Sequence, residues 1–140
     1  MNARKGRPLA EILGGTYQCD GTHMTQSSAE TMMGVMREGL RRAGLTASDV
    51  DYVNAHATAT VHGDAEEARA IAGVFGSQTP VSSLKGHLGH SLAACGALEA
   101  IAAVKMIEHQ LLLPTRNLGD VAEDCRGPNL IRENTPATVK

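Results

Sequence analysis

The sequence predicts an α/β fold with a mainly parallel sheet, and three observations predict it. Short apolar runs alternate with segments of helical periodicity along all 140 residues. The connections between successive apolar runs are long enough for crossovers rather than hairpins. One segment, 91–109, is apolar on every side until its end, which is the pattern of a helix packed between two layers.

Each element has its own local reason. Residues 8–16 (Pro-Leu-Ala-Glu-Ile-Leu-Gly-Gly-Thr) read as a strand closed by a glycine turn. A polar loop with Cys19, Asp20, His23 and Met24 follows. Ser27-Ser28-Ala29-Glu30 has the form of a capping box and predicts a helix. Met32, Met36, Leu40 and Ala43 mark its apolar face as core filler, Arg37, Glu38, Arg41 and Arg42 lie off that face, and Gly44 stops it. Thr46 and Asp49 cap a turn, and residues 50–55 form a short strand. Asp64 is placed to cap the next helix, with Glu66 and Glu67 at the positive end of its dipole. Ala68, Ile71, Val74 and Phe75 supply the buried face of that helix, and Gly76 ends it. Residues 80–83 are a further strand. The 91–109 helix reaches solvent only at Lys105, Glu108 and His109. Leu111 to Pro114 is extended, 117–129 is loop, and Asn129-Leu130-Ile131 is the last strand. The domain is expected over 1–131, with 132–140 a polar tail.

Composition removes several classes of function. Apolar content is 42% and formal net charge is -2, which fits one globular domain and leaves no nucleic-acid footprint. Arg4, Lys5 and Arg7 form only a short basic cluster. No apolar run approaches the ~20 residues of a membrane span, and no signal peptide is expected from the polar residues after Met1. The three cysteines, Cys19, Cys95 and Cys125, lack metal or redox spacing and read as reduced thiols in a cytoplasmic protein.

Two histidine-bearing segments carry the chemistry. Asn54-Ala55-His56-Ala57-Thr58-Ala59-Thr60 leads to Gly63-Asp64, and Ser82-Ser83-Leu84-Lys85-Gly86-His87-Leu88-Gly89-His90 leads to the apolar helix that carries Glu99. Each runs out of a strand and into a helix. Imidazoles at such turns can direct two N–H donors at one carbonyl oxygen, which enolate and tetrahedral oxyanion chemistry requires. His62 and His87 read as surface or packing residues. His87-x-x-His90 with His56 mimics a metal site, but no acidic or Cys ligand stands at ligand spacing, so no metal is expected. Cys95 lies within the apolar helix and reads as a buried structural thiol rather than a nucleophile.

These motifs resemble a known family. His56-Ala57-Thr58-Ala59-Thr60-x-x-Gly63-Asp64 resembles the His-Gly-Thr-x-Thr-x-x-Gly-Asp segment of the β-ketoacyl-acyl-carrier-protein synthases, the condensing enzymes of fatty acid and polyketide synthesis. Lys85-x-x-x-Gly89-His90 resembles their Lys-x-x-x-Gly-His segment, Glu99 falls on the Glu of their Gly-Ala-x-Glu, and His23-Met24-Thr25 is similar to the loop before their long helix. The resemblance runs from about residue 4 to residue 131. It implies the C-terminal half of a thiolase-like fold, with a mixed, mainly parallel sheet, a buried central helix, and the rest of the layered stack missing.

The resemblance also implies roles. The reaction is a decarboxylative Claisen condensation of malonyl carrier protein with an acyl-enzyme. His56 and His90 stabilise the enolate oxygen as neutral N–H donors in a dry pocket. Thr58 and Thr60 hydrogen-bond the phosphopantetheine arm, which arrives on the acyl carrier protein, so no resident cofactor is expected. Lys85 and Glu99 pair behind His90. The pair has an independent reason, since a lone carboxylate inside an apolar helix is costly and Lys85 is the nearest plausible cation. Asp64 gives structural support.

Departures matter as well. Ala57 replaces the usual Gly, and Gly86-His87-Leu88 replaces the usual residues between Lys and Gly. The family's nucleophilic Cys belongs to its N-terminal half, and its closing Gly-Phe-Gly-Gly-Thr-Asn loop lies further on. The chain is therefore expected to be a fragment or one piece of a split synthase, inactive alone. Its partners would be the carrier protein and the N-terminal half or a partner synthase subunit. The alternatives are a non-catalytic partner subunit of the chain-length-factor kind, a degenerate fragment, and a small zinc module.

Overall fold

The computed structural model describes residues 6–23 and 26–140. Arg4 and Lys5 of the basic cluster, and Met24 and Thr25 of the family-like loop, lie outside the described residues. Helix α1 spans Ala29–Ala43, β1 Val53–Asn54, α2 Val61–Phe75, β2 Pro80–Ser82, α3 Lys85–Leu88, α4 Cys95–His109, β3 Leu111–Leu112, β4 Asn129–Leu130 and β5 Thr135–Pro136. Short 3-10 turns cover Ala47–Asp49, Leu92–Ala94 and Glu123–Cys125.

The sheet that positions the site has the order β1-β2-β4, and both pairings are parallel. Val53 lies beside Val81, and Asn54 beside Ser82. β2 is central, so Val81 and Ser82 are both fully buried. Their side chains alternate between faces, as strand geometry requires. Val81 joins Ala55 and Ile71 in one apolar cluster, under α2. Ser82 turns the other way, where its Oγ donates to Leu113 O (2.6 Å) and lies 2.7 Å from the Tyr52 hydroxyl. Tyr52 and Leu113 border the second cluster, built from Leu84, Met106, Leu112, Ile131 and Val139. Burial holds the Tyr52 phenol above its ordinary range, against the opposing effect of its hydrogen bond with Ser82.

The helix signals shift slightly. α1 is capped by Ser28, whose Oγ accepts from Thr31 N–H at 3.2 Å, one residue past the expected cap. Gly44 closes α1 in a left-handed conformation (φ 69°). Met32, Met36 and Leu40 are only half-buried, and Ala29 is the fully buried residue of this helix. The Thr46–Asp49 turn forms a reciprocal capping box. α2 starts at Val61, with Thr60 at its cap position. Asp64 is not the cap. It sits one turn in and accepts the Thr60 N–H at 3.3 Å.

Three expectations need correction. Residues 8–16 form no strand. The segment runs beside α1, with Gly14 near Ala43 and Thr16 near Gly39, and leaves Ile12 at 91% and Tyr17 at 94% exposure. An extended segment becomes a strand only when an edge is available to bond it, and this one lies away from the sheet. The 91–109 helix is not buried on all sides. It begins at Cys95 after a 3-10 turn, and only Cys95 and Met106 are buried, while Leu92, Leu98 and Ile101 face solvent. Its composition is that of a covered helix, but nothing among the described residues covers it. Finally, 132–140 is no tail. β5 pairs antiparallel with β3, Val139 belongs to the core, and Gln110 brackets it through Val139 N and O.

Candidate active site

β1 and β2 end side by side, so the turns that leave them meet above one edge of the sheet. His56 follows β1 and His90 follows α3. Their ring centroids are 5.2 Å apart, edge to face at 89°. Both residues are exposed, so the described residues do not build the dry pocket expected around them.

The His56 turn is held through its backbone. One oxygen of the Glu67 carboxylate accepts from His56 N–H and the other from Ala57 N–H, each at 2.7 Å. Charge-assisted bonds of this kind are the stronger class. They hold a strained turn, because Ala57 (φ 26°) and Ala59 (φ 64°) take backbone shapes that suit glycine. Beyond it, Thr58 and Thr60 bring their hydroxyl oxygens within 3.3 Å of each other. Gly63 packs closely here, since a Cβ would come within 2.5 Å of Thr60 Oγ1 and turn that hydroxyl aside.

The His90 turn is held through its side chains. Lys85 Nζ donates to Glu99 Oε1 at 2.7 Å, with side-chain exposures of 7% and 16%. This is the expected pair, and it ties α3 to the middle of α4. Ser83, which is buried, joins the two turns: its hydroxyl donates weakly toward His56 O and Ala57 O (3.4 and 3.3 Å) and accepts from Lys85 N–H at 3.4 Å. The 113–116 segment braces the same turn. Thr115 Oγ1 accepts from Ser83 N–H, His87 Nε2 lies 2.9 Å from Pro114 O, and Gly86 packs so closely that a Cβ would stand 2.8 Å from Arg116 O. The unusual Gly86-His87 pair thus fits this backing segment. His87 is an exposed packing residue, and His62 is exposed on α2.

The His90 ring is oriented by its own turn. Leu92 N–H points at His90 Nδ1 across 3.1 Å, with Leu92 in a left-handed conformation (φ 51°). A backbone N–H only donates, so Nδ1 accepts and the ring proton sits on Nε2. That leaves Nε2–H as a donor.

A cleft of about 630 Å³ opens beside the turns, lined by Thr58, Thr60, Asp64, Lys85, His90 and Cys125 among others. Burial and the neighbouring Asp124 and Asp64 charges push the Cys125 thiol up, which makes it a poor nucleophile. Among the described residues no group of three or more His, Cys, Asp or Glu is arranged to hold a metal ion. All three cysteines are free. No helix among the described residues is long and apolar enough to cross a membrane.

The structure brings His56 to His90, Thr58 to Thr60 and Lys85 to Glu99. Sequence reasoning missed Glu67 and Ser83. Glu67 reads as a dipole residue because its partners are backbone groups eleven and ten positions earlier. Ser83 had a signal: it is a polar residue ending an otherwise buried strand.

Comparison with known proteins shows the family. Residues 9–119 match the family model described as Beta-ketoacyl synthase, C-terminal domain. The chain is 43% identical over 113 residues to a chloroplastic 3-oxoacyl-[acyl-carrier-protein] synthase I of Hordeum vulgare, covering 78% of this chain and 24% of that protein. It is 36% identical over 134 residues to 3-oxoacyl-[acyl-carrier-protein] synthase 1 of Escherichia coli K12, covering 95% and 32%. A solved β-ketoacyl synthase from Burkholderia phymatum STM815 superposes with a TM-score of 0.93 at 42% identity, over 99% of this chain and 34% of that one. The ketosynthase of a type II polyketide system, solved with its acyl-carrier protein, gives 0.88 at 31%, over 98% and 35%. The chain thus spans about a quarter to a third of the length of these relatives. Its fold is the thiolase-like α/β arrangement in part. The chain belongs to the β-ketoacyl synthase family and corresponds to its C-terminal domain.

Proposed function

We propose that this chain supplies the two-histidine half of a condensing active site. The observation that carries the reading is the edge-to-face meeting of His56 and His90 at 5.2 Å, with His90 set as an Nε2–H donor. In this reading a malonyl thioester lies with its carbonyl oxygen between the two rings. The bond to the carboxylate breaks, CO2 leaves, and the electron pair passes into the enolate. The two N–H groups stabilise the oxyanion that develops. The enolate carbon then attacks an acyl thioester on a cysteine, a carbon–carbon bond forms, and the thiolate leaves.

The other residues serve this step. Thr58 and Thr60 line the cleft and offer hydroxyls to the phosphopantetheine arm of an acyl carrier protein, which is substrate rather than resident cofactor. Lys85 and Glu99 fix the turn that carries His90. Asp64 supports the start of α2 by holding the Thr60 N–H. The nucleophilic cysteine comes from an N-terminal half, and the exposed apolar side of α4 at Leu98 and Ile101, with Leu92 of the turn before it, is where that half packs. The unpaired cysteines suit a reducing compartment such as the cytoplasm.

Co-expression tests the reading. The chain produced with a nucleophile-bearing N-terminal half is expected to form β-ketoacyl carrier protein from acyl and malonyl carriers, and neither piece alone is expected to do so. Turnover by the isolated chain, or none by the assembled pair, would overturn it.

A further inference from the structure

The His90 ring has a second neighbour that the proposed mechanism leaves unused. Cys95 Sγ lies 3.2 Å from His90 Nδ1, the same atom that receives Leu92 N–H. Cys95 is buried (8% exposed) and is the first residue of α4, so its position is fixed by the helix. Since Leu92 N–H makes Nδ1 an acceptor, a sulfur lone pair facing that nitrogen would be repelled. The contact is favourable only with the S–H directed at the ring. Ser91 Oγ, 3.8 Å from the sulfur, is a further polar neighbour.

We propose that Cys95 is a positioning residue for His90, its thiol sharing Nδ1 with Leu92 N–H and keeping the ring proton on Nε2. Neither contact touches the reacting atoms. Both act on Nδ1 and leave Nε2–H as the donor beside the His56 ring. For its catalytic consequence the inference rests on the condensing-enzyme reading, but the ring and thiol signals exist without activity. A simple packing role predicts the opposite ranking of replacements. An apolar residue of similar size would then serve, and a hydroxyl would be the poor substitute.

Two measurements on the full 140-residue chain decide it. Nitrogen-15 NMR of the histidine rings, with His90 assigned through His90→Gln, should show an unprotonated Nδ1 and a protonated Nε2. Cys95→Ser should keep that pattern, and Cys95→Ala and Cys95→Val should shift both His90 nitrogens toward a tautomer mixture. Infrared spectroscopy of the unmodified chain should show one thiol stretching band below those of the other cysteines. It should return to their frequency in His90→Gln and vanish in Cys95→Ser. Wild-type ring shifts in Cys95→Val, or no displaced thiol band, would overturn the proposal. If Cys95→Val does not fold, the thiol band alone decides. Failure of the condensing reading would leave both signals in place, so the two failures are distinguishable.

Discussion

The two histidine turns meet at one point and are held there by opposite means. The His56 turn is fixed through main-chain groups, by a carboxylate that takes the N–H groups of His56 and Ala57 from a neighbouring helix. The His90 turn is fixed through side chains, by the Lys85–Glu99 pair beneath it and by contacts on the His90 ring itself. The difference teaches where each turn is vulnerable. The first depends on backbone strain being held down. The second depends on buried charge being matched.

Breaking the charge match has the largest expected effect. Lys85→Ala leaves Glu99 without its cation in a nearly buried site, and should cost about 3–5 kcal/mol in a urea unfolding experiment. The double change Lys85→Met with Glu99→Leu should recover most of that loss, since the desolvation penalty disappears with both charges. A double variant as unstable as Lys85→Ala alone would show that the pair acts through something other than charge matching.

The backbone clamp comes next. Glu67→Ala leaves two N–H groups beside His56 without their acceptor, with an expected loss of about 2–3 kcal/mol by the same measurement. Glu67→Gln keeps one acceptor oxygen and should fall between. Equal stability of all three chains would mean that the clamp does not hold the turn. Gly86→Ala is smaller. Its Cβ would meet the Arg116 carbonyl at 2.8 Å, a backbone atom that yields poorly, so a cost of about 1–3 kcal/mol is expected. The smallest effect has the opposite sign. Ala59→Gly relieves a left-handed alanine and should stabilise by up to about 1 kcal/mol, reduced by the freer unfolded chain. A destabilising Ala59→Gly would place the strain elsewhere.

The site was legible in the sequence to the extent that its chemistry is local. His56 and His90 stand out because each ends a strand-to-helix turn with small and hydroxyl residues around it. Glu99 stands out because a charge interrupts an apolar helix. Glu67 and Ser83 did not, because their partners come from turns and helices that only folding brings close. The fold shows the same limit. β1, β2 and β4 were visible as short apolar runs, since their neighbours lie within the chain. Residues 8–16 have a strand's pattern without an edge to bond, and α4 has a covered helix's pattern with Ile101 at 60% exposure. In both, composition records a contact that the described residues do not make with one another. The 132–140 segment failed differently: Val139 is a single apolar residue among polar ones, and only its place between Gln110 and the core gives it weight.

The central claim is that both rings act on one oxyanion. Malonyl-carrier decarboxylation by the chain assembled with a nucleophile-bearing half tests it most directly, comparing His56→Ala and His90→Ala with the unmodified protein. Each variant should lose about a hundred- to a thousandfold in rate, as removal of an oxyanion donor does. A wild-type rate in either variant would contradict the shared site.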